Sequence, residues 1–146
     1  MKPELQNELF EKYPKIFKQK DLPMQQTAMC WGIEPEDGWY DIIDMLCCQI
    51  QWHIEFNLRK DEDAEAIQVE ATQVKEKHGT LRFYYNGGNE FIDGLVSMAE
   101  GMSGRTCEAC GNPGTQNNAG WIKTQCEPCR NERDLRWEKG TQGGAG

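Results

Sequence analysis

Seven cysteines punctuate this chain, and four of them form two C-x-x-C pairs, Cys107-Glu108-Ala109-Cys110 and Cys126-Glu127-Pro128-Cys129. Fifteen residues separate the pairs, a spacing at which two thiolate knuckles close a tetrahedron around one ion. Two thiolates three residues apart converge through a tight turn, and Gly111 follows the first pair, where a knuckle often needs positive φ. Zn2+ suits a thiolate-only tetrahedron best; an iron–sulfur centre is the rarer occupant and two disulfides are the competing arrangement. Four protein thiolates leave no open coordination position for substrate. The expected role of Cys107, Cys110, Cys126 and Cys129 is therefore structural, with one zinc replacing a core in a segment poor in apolar residues.

The remaining chemistry is thinner. Cys47 lies on an apolar stripe and reads as a small buried hydrophobe, while Cys30 and Cys48 sit beside no basic cluster that would lower a thiol pKa. His53-Ile54-Glu55 matches the H-x-E half of the zinc nucleobase deaminases, but Thr106 rather than proline precedes Cys107, and that use would strand Cys126 and Cys129. There is no phosphate-binding loop, dinucleotide fingerprint or H-E-x-x-H. No catalytic residue is assigned, and the chain is not read as an enzyme. One surface cluster stands out: a hairpin turning at His78-Gly79 puts Lys75, Lys77, Arg82 and Tyr84 on one face, cations beside an aromatic. That face is the candidate ligand-binding site, for a phosphate and a base.

The elements that must position these residues define an α+β fold. Pro3 opens a first helix and Pro14 ends or kinks it at Tyr13. From Trp39, steps of three and four through Ile42, Ile43, Leu46, Cys47, Ile50, His53, Ile54 and Leu58 predict a long helix, with Asp37 as its cap and His53 packed on its core side. The hairpin spans 67–85, pairing Lys77 with Thr80, Lys75 with Arg82, Val74 with Phe83 and Gln73 with Tyr84. Its core face carries Val74, Leu81, Phe83 and Tyr85. Ile67, Val69 and Ala71 join that face only if a bulge lies near Thr72 or the strand starts buried on both sides. Asn89 caps a second helix over 89–101 that ends at glycines. The expected organisation is an α+β domain over 1–104, a zinc-ribbon segment over 105–139 with a short strand at Trp121–Thr124, and a disordered glycine-rich tail over 140–146.

Composition bounds the partners. The 146 residues include 16 Lys+Arg against 24 Asp+Glu, a formal charge of −8. Residues 1–71 hold 7 basic and 15 acidic side chains, whereas the segment from 105 onward is close to neutral. Such a chain lacks the basic footprint for coating duplex DNA or an anionic membrane. No apolar run approaches the roughly 20 residues that span a bilayer, and the N-terminus lacks a signal-peptide core, so the expected compartment is the cytoplasm.

Several stretches carry a resemblance: Trp31-Gly32-Ile33-Glu34, Asp37-Gly38-Trp39-Tyr40-Asp41-Ile42-Ile43-Asp44, Val74-Lys75-Glu76-Lys77-His78-Gly79-Thr80-Leu81-Arg82-Phe83-Tyr84-Tyr85 and the Cys107-Glu108-Ala109-Cys110-Gly111 element. Together, from Phe17 to Cys129, they resemble a family of small, mostly uncharacterised proteins of tailed phages and prophages. Where this chain has Pro35-Glu36 and His78, that pattern often has Cys-Gly and Phe. The resemblance implies a phage accessory protein expressed in the cytoplasm of an infected bacterium. The leading expectation is a binder that interferes with a host defence or regulatory protein, its acidic half engaging a basic partner. A small phosphorylated ligand or nucleotide on the hairpin face is the alternative. Nucleic-acid binding through the ribbon, by Arg105, Trp121, Lys123, Arg130, Arg133 and Arg136, is the weaker one.

Overall fold

The computed structural model describes residues 1–118 and 120–143. Helix α1 (Pro3–Lys12) starts on its proline, and three single 3-10 turns (Lys18–Asp21, Ala28–Trp31, Asp37–Trp39) carry the chain to α2 (Tyr40–Phe56). A short turn of helix, α3 (Ala64–Ile67), precedes the hairpin β1 (Glu70–Lys77) and β2 (Thr80–Asn86). Helix α4 (Glu90–Ser103) follows, then the two-residue strands β3 (Thr115–Gln116) and β4 (Thr124–Gln125), and finally α5 (Glu127–Gly143). Mixed helix and antiparallel hairpins make this an α+β fold, as expected.

The hairpin forms in the predicted register, with Lys77 opposite Thr80, Lys75 opposite Arg82, Val74 opposite Phe83 and Gln73 opposite Tyr84. His78 and Gly79 turn it with φ of 53° and 82°, the paired left-handed conformation of a tight two-residue turn. The register slips between Ala71 and Gln73, so the bulge at Thr72 swings Ala71 and Val69 inward, where both are buried. The Ala71 amide then donates to the Ile16 carbonyl (2.8 Å), which ties the N-terminal segment to the sheet. Ile33 bridges Val74 in parallel on the free edge of β1. Helix α4 covers the other edge: Ser103 Oγ accepts from the Leu81 amide (2.8 Å) and the Glu100 carboxylate from the Phe83 amide (3.0 Å). An edge whose amides are spent on side chains cannot recruit another strand.

One core lies between the hairpin and helices α2 and α4. Trp39, Ile43, Cys47 and Ile50 meet Val74, Leu81 and Phe83 from the sheet and Ile92 and Val96 from α4, with Leu9, Ile16, Phe17 and Met29 closing the N-terminal side. Asn89 caps α4 as expected, accepting from the Ile92 amide at 3.0 Å. His53 is buried, stacked on Phe91 with centroids 4.2 Å apart, and its ring nitrogens meet Asn57 and Asn89.

Three expectations are corrected. Asp37 does not cap the long helix; it accepts from the Lys2 amide (2.8 Å) and pairs with the Lys2 ammonium, because a 3-10 turn separates it from Tyr40. Ile67 belongs to a helical turn rather than to the strand, since Asp63 caps that turn through the Glu65 amide (3.0 Å). The chain beyond the second cysteine pair is helical through Gly143, where a ribbon end and the first part of a disordered tail were expected. The last three residues of that tail lie outside the described residues. Within α5, Leu135 and Trp137 are exposed, so no apolar stripe announces the helix.

Candidate metal centre

Two loops of different construction deliver the four thiols. In the first, the Gly111 amide closes back on the Cys107 carbonyl (2.9 Å) while the Cys107 amide donates to the Asn112 carbonyl (2.7 Å). Gly111 takes φ of 84°, which a residue with a Cβ adopts only at a cost. The second pair straddles the start of α5: the Arg130 amide reaches the Cys126 carbonyl (3.0 Å), so Cys129 rides on the first helical turn. Strands β3 and β4 hold the loops together through the pairs Thr115–Gln125 and Gln116–Thr124. The short strand before the second knuckle is therefore Thr124–Gln125, with Trp121 and Ile122 exposed in the loop ahead of it.

The result is a convergent sulfur cluster. The Sγ atoms of Cys107, Cys110, Cys126 and Cys129 all lie within 4.8 Å of one another, and those of Cys110 and Cys126 are 3.6 Å apart. Burial would raise the Cys107 thiol pKa, but amide donors of Cys126, Cys110 and Ala109 outweigh it and bring it down to about 7. Cys129 moves the other way, pushed above the usual thiol range by its bond to Cys126 and by burial, and Cys110 is raised as well. Negative charge is thus favoured on Cys107, whereas Cys110 and Cys129 hold their protons more tightly. Four simultaneous thiolates at this separation require a cation, which is the donor set of a tetrahedral metal site.

The cluster is mounted on the main core. Trp39 Nε1 donates to the Thr106 carbonyl (2.8 Å), and the Gly38 amide donates to the Glu108 carbonyl (2.7 Å). Glu108, between the first two cysteines, is buried, accepting from the Glu36 amide (3.1 Å) and pairing with Lys123 Nζ (3.1 Å). Burial raises its carboxyl pKa, and the Glu36 amide and Lys123 oppose that rise. Thr124, also buried, donates its hydroxyl to the Gly79 carbonyl at the hairpin turn. A Cβ built on Gly38 would stand 2.1 Å from the Cys107 carbonyl oxygen. We expect Gly38→Val to unseat the knuckle and cost about 2 kcal/mol or more while the four ligands keep their metal. Thermal denaturation with metal analysis reads both, and a stability within about 0.5 kcal/mol of the parent would contradict this docking.

The structure treats the other candidate residues unevenly. Lys75, Lys77, Arg82 and Tyr84 do share one face of the ladder. A cleft of about 370 Å³ at the hairpin tip takes in Lys75, Lys77 and His78 with Trp121, but Arg82 and Tyr84 do not line it. Arg82 Nε is buried without a hydrogen-bond partner. Of the ribbon cations, Lys123 is engaged by Glu108 and Glu76, Arg130 donates to the Thr115 and Gln125 carbonyls, and Arg133 pairs with Asp134. Lys123 and Arg130 are thus spent inside the fold, whereas the Arg133–Asp134 pair lies at the surface.

Sequence reasoning singled out the four cysteines that converge but missed Gly38, Trp39, Glu108 and Lys123, which seat them. A charged residue inside a C-x-x-C loop carries no signal of burial. Among the described residues no helix is long and apolar enough to cross a membrane. Comparison with family models, curated proteins and solved structures finds no significant match to this chain.

Proposed function

We propose that this chain is a zinc-stabilised phage-type accessory protein that acts by binding a host defence or regulatory protein rather than by catalysis. The observation that carries the metal part is the convergence of four thiols within 4.8 Å. A thiolate-only set favours Zn2+ over harder cations, and a closed tetrahedron supports a structural role. When bound, zinc supplies the charge that lets all four thiols ionise together. The chain's own residues do the rest: Glu108 and Lys123 brace the first knuckle, and Trp39 couples it to the core. The accessory role draws support from the resemblance of the hairpin and the Cys107–Gly111 element to phage proteins, and from the acidity of residues 1–71. That acidity would steer a basic partner. The cytoplasm of the infected bacterium is the matching compartment, where disulfides between the same cysteines are disfavoured.

The test is affinity capture by the tagged, metal-analysed protein from bacterial lysate at physiological salt. The expected result is about one zinc per chain and enrichment of one host protein in stoichiometric amount. A folded, metal-free protein with four titratable thiols would overturn the zinc assignment. Capture of nothing above background across host strains would overturn the accessory role.

A further inference from the structure

The hairpin tip and the cysteine segment close a cleft of about 370 Å³. Lys75, Lys77 and His78 line it from the hairpin, and Trp121 and Ile122 from the loop ahead of β4. The two sides are fastened to each other. Thr124 donates its hydroxyl to the Gly79 carbonyl, and a Cβ built on Gly79 would stand 3.1 Å from Ile122. Asn117 holds the loop by accepting from the Lys123 amide (2.7 Å) and donating to the Trp121 carbonyl (2.8 Å). The bond to Trp121 uses only its backbone, and the side chain that lines the cleft is left 76% exposed.

Charge selects the ligand. Neither Lys75 nor Lys77 forms an ion pair among the described residues, in a chain with 24 Asp+Glu. Lys75 stands directly opposite Arg82 in the ladder, and Arg82 Nε is buried without a hydrogen-bond partner. Like charges opposed across a ladder repel, and an anion beside them relieves that repulsion. Glu76 also lines the cleft, but its carboxylate accepts from the Gly79 amide (2.8 Å) and lies 3.9 Å from Lys123 Nζ. Glu34, which meets β1 at Val74, accepts from Gln73 Nε2 (3.3 Å). Two ammonium groups beside a committed carboxylate suit one phosphate group; a triphosphate carries more negative charge than they balance. The exposed indole offers a stacking platform, and stacking accepts any base because each has a π-face. A cleft of this size holds a single nucleotide, and a net charge of −8 repels a long polyanion.

From two lysines without ion pairs and an exposed tryptophan lining one cleft, we infer that the hairpin tip binds a nucleoside monophosphate. Lys75 and Lys77 hold its phosphate, and Trp121 stacks on its base. His78 lies beside them at the turn, the one non-glycine among the described residues with positive φ. The aromatic partner of the lysines is thus Trp121 of the loop rather than Tyr84 of the strand face. This is a second binding function, independent of the capture of a host protein.

The test is calorimetric titration of the intact, metal-loaded protein with AMP, GMP, CMP and UMP, and with adenosine and inorganic phosphate alone. All four nucleotides should bind saturably, the purines more tightly, and salt should weaken the binding. Adenosine and inorganic phosphate should each bind more weakly than AMP by about tenfold or more, because each engages half of the site. Trp121→Ala should weaken AMP by about tenfold or more, the loss of one base stack, and Trp121→Phe should restore most of it. Lys75→Gln with Lys77→Gln should bring AMP down to the level of adenosine and remove the salt dependence. Trp121 and Lys77 are exposed, and losing the Lys75 charge relieves its repulsion from Arg82. The ligand-free variants should therefore melt no lower than the parent and keep its metal content. AMP binding unchanged by Trp121→Ala or by the lysine pair overturns the inference, as does the absence of saturable binding by all four nucleotides at millimolar concentration. Tighter binding of a single-stranded oligonucleotide than of AMP, lost in the same variants, overturns it too, because the cleft would then belong to a nucleic-acid groove.

Discussion

Replacing Cys110 with serine should empty the candidate metal site, taking bound metal from about one equivalent to near zero, because three thiolates with a neutral hydroxyl hold an ion far more weakly. Metal binding in a segment without its own core is folding free energy, on the order of 10 kcal/mol for small zinc modules at neutral pH. Among the described residues from 105 onward, Cys107, Glu108, Thr124 and Gln125 are buried, and Cys107 alone of these is apolar, so the segment has no apolar core of its own. The residues from 105 onward should become protease-sensitive, and α5, started on Cys126 and Cys129, should lose its anchored first turn. Helix α2 and the hairpin should survive, since Ile43, Cys47 and Ile50 pack on Val74, Leu81 and Phe83 without help from the metal. Limited proteolysis with mass spectrometry, alongside far-UV dichroism, measures the two outcomes separately. Retained metal with an intact C-terminal segment would refute the assignment of Cys110 as a ligand. Loss of all helical signal would instead place the folding boundary elsewhere than Gly104.

The second large effect belongs to Trp39. It is fully buried, and its indole spans the two parts of the molecule: the ring fills the core while Nε1–H satisfies the Thr106 carbonyl at 2.8 Å. Trp39→Ala should cost about 3–5 kcal/mol through the cavity alone, a large share of the stability of a domain this size. The Thr106 carbonyl, left without its donor, adds to that loss. Trp39→Phe separates the contributions by keeping most of the apolar volume and removing only the donor, and should cost about 1–3 kcal/mol. Urea denaturation of the metal-loaded proteins gives both numbers. In each variant the metal should stay bound in the folded state, because no ligand is touched. A Trp39→Ala midpoint within error of the parent would mean that the knuckle and core are not coupled through this side chain.

The cysteine cluster, the hairpin and the long helix were written locally, and that is why they could be read from residue order. Two C-x-x-C pairs at metal spacing are chemically rare enough to specify their own meeting, and four thiols do converge. The hairpin register follows from His78-Gly79, which must take positive φ, and from a period of two that admits few alternatives. The bulge was one of two arrangements the residue order allowed, the other being a strand that starts buried on both faces; the register shift between Ala71 and Gln73 selects it.

What only the tertiary structure decided is where these pieces are mounted and which surfaces they leave open. Asp37 looked like a helix cap, but Lys2, 35 positions earlier, claims it. The burial of Glu108 depends on Lys123 and the Glu36 amide, which only the fold brings around it. Helix α5 has no apolar stripe and takes its start from the second cysteine pair, so periodicity could not foresee it. Arg82 and Tyr84 share the strand face with Lys75 and Lys77, yet the cleft forms where Trp121 approaches the hairpin tip and so excludes them. An apolar groove between α2 and α4 is the clearest case. Each helix alone shows an apolar stripe suited to a core, and only the packing of the two reveals that Met45, Met98 and Met102 are left over. Periodicity reports which side chains share a face; how much of that face a neighbour covers depends on long-range packing, which residue order does not encode locally.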